Sequence, residues 1–347
     1  MYFRYDELLM YDVQGNITCG AFLNGNKLLL TASGDNRRHE VWELSIPKKL
    51  VAGKDAGLTK DRDFKIITAG YSGHKVKQMI TVESAIIISE LNGVHHYAIP
   101  KTSAETDIIS CTKTLRQDIQ DASLALNDSE VYSGTAVSNI QIYDLNSDAS
   151  RNLSLDVHCG SSPDEESSVI NELSVKNNKI YIGLMNKGQV LVYDTRQTNS
   201  VSSIKPPIHS SGRWTLDVSN DGTFISTLDA TGIVNVYDHR KIASPVFKNF
   251  IPVQETADRE SNSRLIAQFS PCQTYLSTSG IDKKIHVFDF RNEGKDSCVF
   301  CHDGHRNEET RSITMHIWHP QQENLVFSAD NSGQLQAWKF KQTWNCE

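Results

Sequence analysis

The stretch Tyr275-Leu276-Ser277-Thr278-Ser279-Gly280-Ile281-Asp282-Lys283-Lys284-Ile285-His286-Val287-Phe288-Asp289 decides the fold. Its apolar residues alternate, break at a short polar turn, and alternate again before ending on an aromatic and an aspartate. Alternation with a period of two sends successive side chains to opposite faces of a sheet. A polar break containing Gly and Asp supplies the backbone that a hairpin needs. The stretch is therefore two antiparallel strands.

The same ending recurs along the chain. It appears as Val41-Trp42-Glu43, Ile142-Tyr143-Asp144, Val192-Tyr193-Asp194, Val236-Tyr237-Asp238, Val287-Phe288-Asp289 and Ala337-Trp338-Lys339, with a weaker copy at His96-Tyr97-Ala98. From Trp42 to Trp338 the seven aromatics are spaced about 49 residues apart, a period that belongs to repeat architectures. Upstream of each hairpin lies a further apolar run, such as Leu265-Ile266-Ala267-Gln268-Phe269 or Ile313-Thr314-Met315-His316-Ile317-Trp318. Four strands per repeat make one blade of a β-propeller.

Kelch blades have a similar period but are marked by paired glycines, and no Gly-Gly occurs here. The WD type places Gly-His before a blade and an aromatic-Asp after its third strand, which fits Gly304-His305 followed by Trp338. The chain ends soon after a third strand at Leu335 to Phe340, so the last blade lacks its outer strand. Leu8 to Val13 supplies one from the N-terminus, and pairing it there hides an open edge. The expectation is an all-β, seven-bladed WD40-type propeller, a single domain over residues 1–347.

Composition agrees and narrows the function. Of 347 residues, 38% are hydrophobic and 22% charged, enough for a large core. The net charge of -7 gives no attraction to phosphate backbones or anionic lipid, which argues against direct nucleic-acid or membrane binding. No apolar window is long enough to span a bilayer, and Met1 to Glu7 does not read as a secretory signal. Seven scattered cysteines suit reduced thiols in cytosol or nucleus better than a disulfide framework. Longer connectors run from Lys48 to Tyr71, Pro100 to Asp118, Val253 to Ser263 and Asn292 to Ser312. An acidic loop lies at Ser161 to Ser168.

Three groups of residues invite a chemical reading. Cys298, Cys301, His302, His305, His316 and His319 have spacings that resemble zinc ligands. The blade reading competes, because His305 belongs to the Gly-His of the repeat and His316 and His319 close a strand; no metal is expected. The second group is the buried Asp-His-Ser-Trp network of WD blades, retained in the last blade as His305, Ser328 and Trp338. Ser332 stands there at the hairpin-aspartate position, with Asp330 nearby. Asp282 holds that hairpin position in the blade before, where Phe288 replaces the Trp. Together with Trp42, Asp194, Asp238 and Asp289, these residues are expected to hold blades together. The third is Lys60-Asp61-Arg62-Asp63-Phe64-Lys65. Arg62, Asp63, Phe64 and Lys65 combine an aromatic with flanking charges, as binding hot spots do, although Phe64 could instead pack on the barrel. No nucleophile elbow, phosphate loop or dinucleotide fingerprint occurs, so neither an enzyme nor a cofactor is expected.

With the blades placed, the chain resembles the WD-repeat protein 73 family. The most specific matches are connectors: Leu44-Ser45-Ile46-Pro47, Gly57-Leu58, Arg62 to Lys65, Gly70-Tyr71-Ser72, Asp194-Thr195-Arg196-Gln197, Arg213-Trp214, and His302 to His305 with Thr314 to Pro320. Cys298 and Cys301 fall outside that pattern. The resemblance implies a non-enzymatic scaffold for protein partners, acting on the RNA-endonuclease module of the Integrator complex with an accompanying HEAT-repeat protein. It also implies the alternative of a spindle-pole or microtubule protein acting in division. Implied locations are the cytoplasm, the spindle poles in mitosis, and the nucleus. The negative net charge disfavours direct contact with acidic tubulin. A third possibility, an enzyme hidden in the propeller channel, requires converging carboxylates or a metal at one end of it.

Overall fold

In the computed structural model, residues 5–341 are described apart from 14, 35–37, 48–49, 51–62, 102–106, 118, 154, 156–168, 186–187, 197–199, 206–212, 254–263, 293–296 and 306–310. They form seven four-stranded antiparallel sheets. Blade 1 contains β2 (Asn16–Leu23), β3 (Lys27–Ser33), β4 (His39–Ser45) and β5 (Lys65–Ser72). Blade 2 contains β6 (Gln78–Val82), β7 (Ala85–Glu90), β8 (Gly93–Ala98) and β9 (Ser110–Gln117). Blade 3 is β10 (Ser123–Asn127), β11 (Glu130–Gly134), β12 (Gln141–Asp144) and β13 (Ala149–Asn152). In blade 4 the strands are β14 (Ile170–Lys176), β15 (Lys179–Leu184), β16 (Gln189–Asp194) and β17 (Ser200–Ile204). Blade 5 has β18 (Trp214–Val218), β19 (Phe224–Asp229), β20 (Ile233–Asp238) and β21 (Phe247–Phe250). Blade 6 has β22 (Ile266–Phe269), β23 (Tyr275–Ser279), β24 (Ile285–Asp289) and β25 (Cys298–His302).

Blade 7 is assembled from both ends of the chain. It has β26 (Ile313–Trp318), β27 (Leu325–Asp330) and β28 (Gln334–Phe340), and β1 (Tyr5–Asp12) is its outer strand. Tyr5 lies opposite Phe340 and Asp12 opposite Gln334. The Val13 N–H then donates to the Gly333 carbonyl at 2.8 Å. Gly333 has a positive φ of 89°, and a Cβ there would sit 2.0 Å from the Val13 oxygen, so only glycine fits this closure.

The first strands of successive blades touch in order, β2 with β6, then β10, β14, β18, β22 and β26, and β26 touches β2. The seven blades therefore close as a propeller around a channel lined by these strands. All seven repeat aromatics, Trp42, Tyr97, Tyr143, Tyr193, Tyr237, Phe288 and Trp338, lie on third strands.

Among the described residues the apolar core is a ring of seven clusters, each between two neighbouring blades. Blades 6 and 7 share Val287, Phe300, Trp338 and Phe340, and blades 2 and 3 share Ile87, Val94, Leu124 and Val131. Because a blade is covered on both faces, its second strand is mostly buried: β7 reads Ala-Ile-Ile-Ile-Ser-Glu and every residue is inside. Outer strands face solvent, and in β13 all four residues are exposed. No helix among the described residues is long and apolar enough to cross a membrane.

Candidate functional site

Apart from Arg62, each sequence-derived candidate has a definite place in this frame. In blade 7 the polar network is complete. His305 Nδ1 lies 2.9 Å from Asp330 Oδ2, and its Nε2 lies 2.9 Å from the Ser328 hydroxyl. Trp338 Nε1 donates to that same hydroxyl at 3.0 Å. The carboxylate is Asp330, not a residue at position 332; Ser332 instead donates both its backbone N–H and its hydroxyl to Asp330. Burial alone would raise the Asp330 carboxyl, but hydrogen bonds from His305, Ser332 and Gln334 outweigh it and hold it below the ordinary range.

Blade 5 uses the same hairpin. Asp229 accepts the N–H groups of Thr231 and Ile233, as Asp330 accepts those of Ser332 and Gln334. Both hairpins read Asp-x-x-Gly, with Gly232 and Gly333 at positive φ. That shared tetrapeptide is the signal that would have picked out Asp330. Asp282 comes two residues later in its hairpin, and there it meets His286 Nε2 at 3.0 Å. The aspartates that follow the third-strand aromatics act differently. Asp194, Asp238 and Asp289 each accept the N–H of the residue two positions on, Arg196, Arg240 and Arg291, and so shape the turn to the outer strand. Hydrogen bonds from Arg240 hold the Asp238 carboxyl down at about 2. Trp42 is half-buried against the cluster shared by blades 1 and 7.

The histidines with zinc-like spacing are engaged elsewhere. His316 lies between two hydroxyls of blade 6, with Nε2 2.9 Å from Ser277 and Nδ1 2.9 Å from Ser279. His319 Nδ1 accepts the N–H groups of Gln321 and Gln322 and so caps the turn after β26. The His302 ring stacks on Trp338 with centroids 4.5 Å apart, and its Nδ1 meets the Tyr5 hydroxyl at 3.0 Å. Cys298 and Cys301 sit on the outer strand β25. Among the described residues no group of three or more His, Cys, Asp or Glu side chains converges to hold a metal ion.

Arg62 lies outside the described residues. Asp63 and Lys65 are exposed, whereas Phe64 is buried, 3% exposed, with its ring 5.5 Å from Tyr11 and 6.0 Å from Phe327. The segment thus presents charges outward around an aromatic that plugs the seam between blades 1 and 7.

A cavity of about 380 Å³ opens at the end of the channel where the first strands begin. Lys77, Gln78, Ser123, Asn171, Glu172, Trp214, Thr215, Arg264 and Leu265, from blades 2 to 6, line it, with Met185 and Arg213 at its rim. Sequence reading could not find it, since its lining consists of single positions drawn from separate repeats.

No family model matches the chain. Curated relatives do. The chain is 25% identical to the "Integrator complex assembly factor WDR73" of Danio rerio, over 91% of this chain and 88% of that protein. Proteins of the same name from Mus musculus and Homo sapiens are 23% and 22% identical, each over 97% of this chain and over 95% and 94% of their own length. The resemblance to the WD-repeat protein 73 family is borne out. The matches to these WD-repeat protein 73 relatives cover nearly the whole of this chain and of theirs.

Proposed function

We propose that this protein is a non-enzymatic adaptor that binds protein partners during assembly or maintenance of the Integrator complex, with the RNA-endonuclease module as its target. The observation that carries the reading is the end-to-end similarity to relatives named as Integrator assembly factors. The fold is compatible: a rigid ring held by seven inter-blade cores presents its connectors at two faces, as binding scaffolds do. On this reading the protein acts mainly in the cytoplasm. The contact surface includes Arg62, Asp63 and Lys65, with Phe64 anchoring the segment beneath them.

Affinity purification of the tagged chain from cytosolic extract at physiological salt tests this, with co-purifying chains identified by mass spectrometry. Recovery of Integrator endonuclease subunits, lowered by Arg62→Ala and Lys65→Ala, is the expected result. Recovery of tubulin or centrosomal proteins without any Integrator subunit would overturn it and place the function at the spindle.

A further inference from the structure

The cavity at the channel mouth has unusual chemistry for a chain of net charge -7. Its lining carries three cations, Lys77, Arg213 and Arg264, against one carboxylate, Glu172. Most of its neutral polar groups are spent on the protein. Gln78 donates to the Leu124 carbonyl and accepts the Leu124 N–H, at 2.9 and 2.8 Å. Ser123 donates to the Asn171 carbonyl, and Asn171 to that of Trp214. These bonds tie blades 2 to 5 together along the channel and fix the shape of the site.

Lys77 and Arg264 make few bonds to the protein for the donors they carry. Lys77 Nζ donates to the Asp121 carbonyl, and Arg264 Nη1 reaches the Lys77 carbonyl at 3.4 Å. An ammonium has three N–H donors and a guanidinium five. Arg264 comes from the start of blade 6 and Lys77 from the start of blade 2, so their contact spans the channel. Glu172 is a poor counter-ion for them: burial raises its carboxyl, and Arg264 and Lys77 only partly offset that. Burial likewise lowers the Lys77 ammonium; Glu172 and Asp121 offset this in part, and Arg264 adds to it. A carboxylate placed between Lys77 and Arg264 would attract both cations. Around them stand Trp214, Leu265 and Met185, and Met185 is 40% exposed.

We propose that this cavity binds a short peptide segment of a partner protein, with a carboxylate held between Lys77 and Arg264 and an adjoining apolar side chain on Trp214, Leu265 and Met185. The volume suits a few residues, within the range of ligand sites. The apolar wall distinguishes a peptide from a free phosphate. The carboxylate comes from an acidic side chain or from a C-terminus; both offer the same two oxygens. This site goes beyond the Integrator reading, and its test can fail while the pulldown succeeds, or the reverse.

The test is fluorescence anisotropy with the full chain and a fluorescein-labelled pentapeptide, Leu-Glu-Leu-Glu-Leu, set against Leu-Gln-Leu-Gln-Leu. Each peptide is used with a free and with an amidated C-terminus, which separates side-chain from terminal carboxylates. Inorganic phosphate serves as competitor. The expected result is saturable binding of at least one carboxylate-bearing peptide, with the fully amidated glutamine peptide weaker by about tenfold. Arg264→Gln and Lys77→Gln each weaken binding by a similar factor. Glu172→Gln strengthens it by a few-fold, because it removes the repelling charge; a purely structural Glu172 would not produce that gain. Met185→Glu weakens binding, and it keeps the test alive if Arg264→Gln fails to fold by thermal unfolding. Equal binding of all peptides, no binding at millimolar peptide, insensitivity to these substitutions, or displacement by phosphate at equal affinity would each overturn the proposal.

Discussion

Across the boundary between blades 6 and 7, the His316 imidazole meets the Ser277 hydroxyl at 2.9 Å, and Trp318 donates to that same hydroxyl at 2.8 Å. With Ser279 on its other nitrogen, His316 has a hydroxyl partner at each ring nitrogen, and it is burial that disfavours its charged form. Burial presses its pKa down from 6.5 to about 3. The interface between these two blades is thus polar at its centre and depends on a histidine staying uncharged.

A depressed pKa in the fold means that the unfolded chain takes up the proton first. The stability that His316 contributes is therefore complete above pH 6.5 and lost as the pH falls toward 3. Urea unfolding between pH 7.5 and 4 should show this acid limb, and His316→Gln should flatten it. At pH 7.5 the same substitution should cost about 1–3 kcal/mol, since it disturbs buried hydroxyl partners.

Asp217 makes the opposite contribution. Its carboxyl accepts the Phe269 N–H at 2.7 Å, joining blades 5 and 6, and burial raises its pKa from 3.8 to about 6. Lys176 and Glu172 of β14 face it, the first lowering and the second raising the value. Here the folded chain binds the proton more tightly, so the stabilisation is present below pH 3.8 and fades as the pH rises through 6. Asp217→Asn, which keeps the acceptor oxygen, should stabilise the protein at pH 7.5 by about 1–2 kcal/mol; partial solvent contact makes this less than the full shift would give. The gain should vanish at pH 4. Chemical unfolding at the two pH values checks it.

In blade 7, Ser328→Ala removes the acceptor for Trp338 Nε1 and the partner of His305 Nε2 while both rings stay buried. The expected cost is about 1–3 kcal/mol. Ser328→Ala and Asp330→Ala should be non-additive in a double-mutant cycle, with a coupling of at least about 0.5 kcal/mol, because both act through His305. Additive losses would mean that the network works as separate pairs.

Phe64 and Lys65 should separate stability from binding. Phe64→Ala opens a void beside Tyr11 and Phe327 and should cost about 3–5 kcal/mol in unfolding measurements. Lys65→Ala, on an exposed side chain, should change stability by less than about 0.5 kcal/mol. If the segment contacts a partner, Lys65→Ala lowers recovery in the pulldown without moving the melting temperature.

The repeat grammar was readable because it follows burial. Third strands end on an aromatic packed within or between blades, so Trp42 through Trp338 counted the blades correctly. Second strands are apolar on both faces for the same reason. Outer strands have no such constraint. The sequence Ser110 to Gln117 looks like a polar connector, yet it forms β9, held by backbone pairing with β8. The strand β5 at Lys65–Ser72 and β25 at Cys298–His302 lie inside stretches that also read as connectors. The N-terminal strand begins at Tyr5, ahead of its apolar run at Leu8, because Tyr5 packs on Phe300 and meets His302 in blade 6. The hairpin-aspartate position expected at Ser332 falls two residues earlier, at Asp330, where the Asp-x-x-Gly turn needs its acceptor. The channel mouth was invisible for a different reason. Its charges lie one to a blade, and only the ring brings them together.

Closure of blade 7 also sets a timetable for making the protein. Tyr5 leaves the ribosome about 335 residues ahead of its partner Phe340. At about 5–20 residues per second, β1 waits for tens of seconds while six blades form behind it. Throughout that interval the nascent chain is an open arc, with apolar faces at both ends and a strand without a sheet. Every molecule therefore passes through an unfinished state, with apolar surface uncovered, before the ring can close.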